Sequence, residues 1–364
     1  MSPGQQHMRR ALRLAERGRG KVSPNPLVGA VVVHGEQVVG EGAHLRVGGP
    51  HAEVHALAAA GQRARGATLY VTLEPCCHHG RTPPCTEAVL ASGVRRVVCA
   101  MLDPDPRVSG RGVACLRAGG VEVEVGLLEG LAERQNEAYT KHRRQGLPWV
   151  ILKLGQSLDG RIATRSGASR WITGEAARRH VHRWRSWVDA VMVGAGTVIA
   201  DDPLLTVRHV PGRDPRVIVV DGRLRVSPAA RVFQRPGAVL ITSTDSSPAQ
   251  REAFTRQGVA VWAFAARDCR VDLRAALARA AAEGITAVML EGGAGLATQA
   301  LRAGLVDRVQ VYVAPCLLGQ GVAAIGDLGV LEVEQGIVLE EVRLRRLGPD
   351  VLYTARVRHR CSPD

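Results

Sequence analysis

The chain opens on an amphipathic helical pattern over residues 5–18, and a turn-rich segment with Pro24 and Pro26 leads into apolar, strand-like runs over 27–33 and 37–41. A hairpin through His34 and Gly35 is the natural link between those two runs. Residues 50–60 read as a helix that begins at His51, with Pro50 and Glu53 early and Ala and Leu afterwards. A strand over 67–73, a loop rich in Pro and Cys, a helix over 84–91 and a buried strand over 96–101 follow, then a helix over 112–118 and a strand over 121–125. Alternation of this kind predicts a sheet covered by helices on both faces. Residues 135–148 are charged and polar and end in Gly146 and Pro148, which places a domain boundary near residue 146. The pattern then restarts, with strands predicted over 149–154, 190–194, 216–220, 238–242, 287–290 and 308–313, and helices over 174–187, 273–283 and 294–303. No internal repeat or low-complexity tract is visible, and the two stretches predict α/β domains over 1–146 and 147–364.

Length agrees with this division, since 364 residues suffice for about two domains of roughly 100–200 residues each. The formal charge of +14 raises nucleic acid as a partner, but three features argue against it. Only Lys21, Lys141 and Lys153 are lysines, so the excess is a chain-wide arginine bias. It is also evenly spread, with 19 basic and 13 acidic residues over 1–146 and 29 and 21 over the remainder. All five Trp lie at residue 149 or later, so the first half lacks the aromatic platforms of single-strand binders. The charge therefore reads as a solvated surface that helps attract small phosphorylated substrates. No stretch approaches the ~18 apolar residues of a membrane span, and Met1–Arg10 has no apolar signal region, so a cytoplasmic protein is expected.

Eight cysteines are too few for a disulfide scaffold, yet Cys76, Cys77 and Cys85 crowd into ten residues. With His51 ahead of them, one His and two Cys make the three-ligand set that leaves a tetrahedral zinc one position for water. Two thiolates and a neutral imidazole cancel the charge of Zn²⁺, so such a site can acidify water without trapping an anion. Pro84 as the first helical residue would set Cys85 at a helix N-terminus, where a thiolate is favoured. Glu53, two residues past the His, is placed to shuttle a proton without being a ligand. The alternative is a structural zinc site, which needs a fourth ligand from Cys77, His78 or His79. In the second half, Glu291-Gly292-Gly293-Ala294-Gly295 joins a strand to a helix, a turn that suits a phosphate but is often only a turn.

HAEVHAL at 51–57 followed by YVTLEPCCHHGRTPPC at 70–85 resembles the deaminase half of the bifunctional deaminase–reductases of riboflavin biosynthesis. The eight residues between Cys76 and Cys85 set it apart from the PCxxC of nucleoside and nucleic-acid deaminases. KLGQSLDGRIA (153–163), SRWIT (169–173), ADDPLLTVR (200–208) and EGGAGL (291–296) resemble the same family's reductase half, so the resemblance covers residues 5–356. It implies a cytidine-deaminase-like three-layer α/β/α domain with a mixed sheet, then a dihydrofolate-reductase-like α/β domain that uses NADPH. It further implies zinc on His51, Cys76 and Cys85, Glu53 as proton donor and acceptor, Asn25 and His44 beside the pyrimidine and Arg81 near the substrate phosphate. For NADPH it implies Gly155, Trp171, Thr197, Asp201 and Gly293, Ala294, Gly295, Leu296 and Ala297. For the ribose phosphate it implies Ser169, Arg185, Leu205, Arg208 and Glu291, with Lys153 and Glu291 as proton partners of hydride transfer and the two arginines gripping phosphate. Gly222 after Asp221 departs from the usual Ser or Thr, which removes a hydroxyl contact to the cofactor, and Cys77 stands where relatives carry Ser. A small phosphorylated pyrimidine as substrate, no nucleic acid or membrane partner and a homodimer or homotetramer complete the expectation. The rivals are a zinc-dependent nucleic-acid base deaminase and a zinc-stabilised binding module.

Overall fold

The structure, a computed structural model, describes residues 1–80, 82–267 and 270–359. It divides into two compact units, Met1–Gly146 and Leu147–Asp364.

The first unit runs α1 (Pro3–Ala15), β1 (Gly29–His34), β2 (Gln37–Ala43), α2 (Ala52–Ala60), β3 (Thr68–Val71), α3 (Cys85–Ser92), β4 (Arg96–Cys99), α4 (Arg111–Ala118), β5 (Glu122–Val125), α5 (Glu129–Gln135) and α6 (Glu137–Gln145). Ser2 and Gln5 close a capping box in front of α1, so its first amides are satisfied by neighbours. The sheet order is β2-β1-β3-β4-β5, antiparallel across β2-β1-β3 and parallel across β3-β4-β5, a mixed sheet. The turn of the first hairpin falls on Gly35 and Glu36, since His34 pairs with Gln37, and Gly35 supplies the positive φ the turn requires. Helices α1 and α2 cover opposite faces, which follows from the register. Gly29 pairs with Ala43 and a Cβ there would meet the Ala11 carbonyl of α1 at 2.0 Å, whereas Gly42, one residue along and so facing the other way, would meet the Ala52 carbonyl of α2 at 2.1 Å. These glycines seat helix backbone directly on strand backbone. Gly42→Ala is therefore expected to cost about 1–3 kcal/mol of overpacking and, because Ala52 follows His51, to lower bound zinc. Thermal unfolding with metal analysis checks this, and unchanged zinc content would show that the start of α2 is not set by that contact.

Residues 135–148, charged and polar in the sequence, are mostly α6, which follows α5 with only Asn136 between. Both helices are short and hydrophilic but anchored from afar. The Asn136 side chain between them accepts from the Leu27 amide at 2.8 Å and donates to its carbonyl at 3.0 Å, and Gln135 donates to the Leu12 carbonyl.

The second unit comprises β6 (Trp149–Ser157), β7 (Arg161–Thr164), α7 (Glu175–Arg185), β8 (Ala190–Gly194), α8 (Ala195–Asp201), β9 (Arg216–Val220), β10 (Val239–Ser243), α9 (Pro248–Arg256), β11 (Ala260–Phe264), β12 (Ala266–Arg267), β13 (Arg270–Val271), α10 (Leu273–Ala282), β14 (Ala287–Glu291), α11 (Ala294–Arg302), β15 (Arg308–Ala314), β16 (Gly321–Ala323), β17 (Leu339–Leu347) and β18 (Asp350–Val357). Nine strands form its main sheet in the order β11-β10-β9-β8-β14-β6-β15-β18-β17, parallel as far as β15 and closed by an antiparallel hairpin. Runs such as Val150-Ile151-Leu152 in β6 and Val288-Met289-Leu290 in β14 are buried throughout, as a parallel sheet covered on both faces requires. Several elements escape the sequence reading, among them β7, α8, α9, β11 and the β17–β18 hairpin. Most residues of β17 are exposed whichever way they point, so its hydrophobicity does not alternate.

Candidate active sites

In the first unit the candidate residues converge where the parallel strands β3 and β4 end, the place where open α/β sheets leave a crevice. His51 immediately precedes α2 and Cys76 lies in the loop after β3, while Cys85 is the first residue of α3. Pro84 is the extended residue before that helix rather than its first member, and the Cys85 amide it frees donates to the Cys76 sulfur at 3.3 Å. His51 Nδ1 stands 3.1 Å from Cys85 Sγ and 3.6 Å from Cys76 Sγ, and the three ligand atoms lie within 4.8 Å of one another. Zinc–sulfur and zinc–nitrogen bonds of about 2.3 and 2.0 Å imply tetrahedral edges of roughly 3.5–3.8 Å, so this donor set fits the ion. The Cys85 thiol and the His51 ring hold the Cys76 thiol well below its ordinary range, in the thiolate form a metal needs. No fourth His, Cys, Asp or Glu joins the cluster among the described residues, and Cys77 stays outside it.

Glu53 is in the first turn of α2 and opens, with His51 and Cys76, on one cavity of about 510 Å³. Burial, reinforced by the neighbouring Cys76 sulfur, pushes its carboxyl up to about 7. Asn25 and His44 line the cavity together. The Pro50 carbonyl only accepts, so His44 carries its proton on Nδ1, 3.2 Å away, and its bare Nε2 accepts from the Asn25 amide at 3.1 Å. Burial lowers the pKa of His44, in keeping with that neutral form. Arg81 lies outside the described residues. The loop is tied down by Glu74, whose buried carboxylate accepts from the amides of Asp103, Gly110 and Val113 at 2.9–3.1 Å. Sequence reasoning missed the facing wall, where Tyr139 donates to Asp103 at 3.0 Å and Asp105 pairs with Arg107 and Arg143 at 2.6 and 3.7 Å. A signal existed: Asp103-Pro104-Asp105-Pro106-Arg107 follows the buried strand β4 after Ala100, Met101 and Leu102.

The second unit holds two adjoining cavities of about 480 and 630 Å³ with Thr197 and Gly293 on the walls of both. Gly155, Ser169, Trp171, Asp201, Leu205 and Arg208 line the first of them. Trp171 is 67% exposed, its ring under the Arg178 guanidinium at 4.5 Å, so it is a wall and not core. Lys153 and Glu291 are register partners on β6 and β14 and stand 3.6 Å apart. Arg185 grips Glu291 with two bonds of 2.6 and 2.9 Å and the Thr206 carbonyl with a third, so the fork that suits a phosphate is already on a carboxylate. Arg185 and Lys153 overcome the burial of Glu291 and hold its carboxyl at about 2. The second cavity is walled by the ends of β8 and β9 and by Gly293, Ala294, Gly295 and Leu296 at the start of α11, while Ala297 packs in the core. Gly292 must be glycine: φ is +89° and a Cβ would meet Thr197 Oγ1 at 2.4 Å. At Gly196 and Gly295 a Cβ would point into open space, so the cavity wall there is bare backbone, suited to the close approach of an extended dinucleotide.

No helix among the described residues is long and apolar enough to cross a membrane. Residues 1–101 match the family model described as the cytidine and deoxycytidylate deaminase zinc-binding region, and residues 148–353 that described as the RibD C-terminal domain. The chain is 43% identical to the riboflavin biosynthesis protein RibD of Aquifex aeolicus, over 95% of this chain and 96% of that one. It is 42% identical to RibD of Escherichia coli over 95% and 97%. Among solved structures, Acinetobacter baumannii RibD superposes with a TM-score of 0.90 at 39% identity, covering 98% of this chain and 99% of that one. A Thermotoga maritima diaminohydroxyphosphoribosylaminopyrimidine deaminase/5-amino-6-(5-phosphoribosylamino)uracil reductase superposes with a TM-score of 0.84 at 35% identity, with the same coverage. With a His-Cys-Cys cluster that fits zinc in the first unit, a matched RibD C-terminal domain in the second, and full-length similarity to these proteins, the chain belongs to the RibD family, the zinc-dependent deaminases and NADPH-dependent reductases of riboflavin biosynthesis.

Proposed function

We propose that Met1–Gly146 deaminates 2,5-diamino-6-(5-phosphoribosylamino)pyrimidin-4(3H)-one to 5-amino-6-(5-phosphoribosylamino)uracil, and that Leu147–Asp364 then reduces the ribose of that product to a ribityl chain. The observation that carries the reading is the opening of His51, Cys76 and Glu53 on one cavity, with Cys85 completing the ligand set beside them. His51, Cys76 and Cys85 would hold zinc, which would supply an acidified water near neutral pH. Glu53 takes a proton from the water that attacks the amine-bearing carbon and returns it as ammonia leaves. Asn25 and His44 border the pyrimidine, and their fixed hydrogen bonds hold that edge of the cavity in one orientation.

In the second unit bound NADPH would supply the hydride that C1 of the opened ribose takes up. Glu291, with a carboxyl held at about 2, remains an anion at neutral pH and orients its neighbours; the Lys153 ammonium, 3.6 Å from it, gives the ribose ring oxygen the proton that makes it a hydroxyl as the ring opens. Arg208 meets the substrate phosphate, beside Ser169 and Leu205, while Arg185 fixes Glu291. Gly155, Trp171, Thr197, Asp201 and the segment 293–296 hold the cofactor, with Ala297 packed beneath them in the core. The reading includes a cytoplasmic location and assembly as a homodimer or homotetramer through the second unit. Edge strand β17, with Leu344 67% exposed, supports that assembly.

Incubating the zinc-loaded protein with the diaminopyrimidine ribotide tests the order of steps. Ammonia is expected without NADPH, and NADPH oxidation only after deamination. Because every zinc ligand lies in the first unit, a chelator is expected to stop ammonia release while NADPH oxidation on the deaminated ribotide continues. Loss of both activities on chelation would contradict this assignment.

A further inference from the structure

The cavity beyond Thr197 and Gly293 carries a charge pattern that the two reactions leave unexplained. Its walls bear Arg223, Arg225, Arg270 and Arg302 against two acidic residues, Asp221 and Asp327. Arg302 pairs with Asp327 at 3.2 Å. Asp221 directly follows β9, the strand beside β8, where a dinucleotide-binding sheet often places an acidic group that holds a free ribose hydroxyl and repels a phosphate. Here that carboxylate, though on the cavity wall, is buried and bonded within its own turn. Its side chain is 1% exposed and accepts the Val226 amide at 2.7 Å and the Arg223 amide at 3.4 Å, closing its own turn. Between the two arginines of that turn, Leu224 adopts φ +51° and buries its side chain as an anchor. Arg225 is left 57% exposed on the cavity wall, with Nε 3.9 Å from the buried Asp221 carboxylate. A guanidinium held in this way presents its remaining N–H groups to a dianion.

We infer that the turn after β9, and Arg225 above all, reads the 2′-phosphate of the cofactor, so that this loop selects NADPH over NADH. Gly222 takes no side-chain part in that contact, and the arginine does what a hydroxyl at position 222 would do only weakly. The inference rests on the reading of the second unit as an NADPH reductase. The two cofactors share every group except that phosphate, so the informative quantity is the ratio of their affinities.

Calorimetric titration of the full-length protein with NADPH and NADH, and with adenosine 2′,5′-bisphosphate and 5′-AMP, measures that ratio without catalysis. Arg225→Ala is expected to weaken NADPH and the bisphosphate by about tenfold or more while leaving NADH and 5′-AMP unchanged. Arg225→Lys should recover part of the loss, and Arg223→Ala combined with Arg225→Ala should abolish the preference. A ratio untouched in all three variants overturns the inference. Equal loss for both cofactors also overturns it, because the loop would then hold the shared pyrophosphate. If the unsubstituted protein binds neither cofactor, the reductase reading itself fails and the inference falls with it.

Discussion

Replacing Glu53 with glutamine lowers ammonia release by about 10²–10⁴-fold, the usual contribution of a positioned general acid–base, while zinc stays bound. The side chain is close to isosteric and Glu53 is not one of the three ligands, so nothing in the metal set changes. What disappears is the group proposed to move protons, in a cavity where burial has brought the carboxyl up to about 7. Ammonia assays beside metal analysis check this. Loss of zinc in the variant would show that Glu53 supports the ligands instead, and retained activity would move the proton transfer elsewhere.

Arg185→Ala is expected to destabilise the second unit by about 3–5 kcal/mol, because it strands a buried carboxylate. Glu291 would keep only Lys153, at 3.6 Å, in place of a two-bond grip at 2.6 and 2.9 Å. Reduction of the ribose should fall with it, since Glu291 would no longer hold Lys153 in place. The pH dependence has a defined sign. The folded carboxyl lies at about 2, below its ordinary 4.5, so the stabilisation it lends is complete above about 4.5 and is lost as pH falls towards 2. The gap between the parent protein and Arg185→Ala should therefore narrow across that window. Scanning calorimetry reads this from the transition that zinc removal leaves in place, and a pH-independent gap would mean that Arg185 acts through packing alone.

The clustering of His51, Cys76 and Cys85, with Glu53 beside them, was legible in the sequence because the motif is compact: HxE opening a helix and two cysteines after the next strand can hardly be scattered by folding. The wall facing them was not, because Tyr139 reaches Asp103 from a helix in the charged, polar stretch before the domain boundary. That helix is held by Asn136 against Leu27, more than a hundred residues away, and no local pattern carries such a bond. In the second unit the ends of β6 and β14 were readable as buried runs, yet Arg185 was expected on a phosphate. Only the fold shows that its fork is filled by Glu291. Arg225 was hidden for a related reason: one arginine among 45 signals nothing until the turn buries its aspartate.

The central strand β6 is among the first parts of its unit to leave the ribosome, but its partners are β14, residues 287–291, and β15, residues 308–314. At about 5–20 residues per second, an apolar ribbon with two bare hydrogen-bonding edges waits on the order of ten seconds for them. High contact order then slows closure further. Growth temperature and chaperone supply should therefore govern how much of the reductase unit is recovered, while the first unit, whose sheet is complete by residue 125, folds during synthesis.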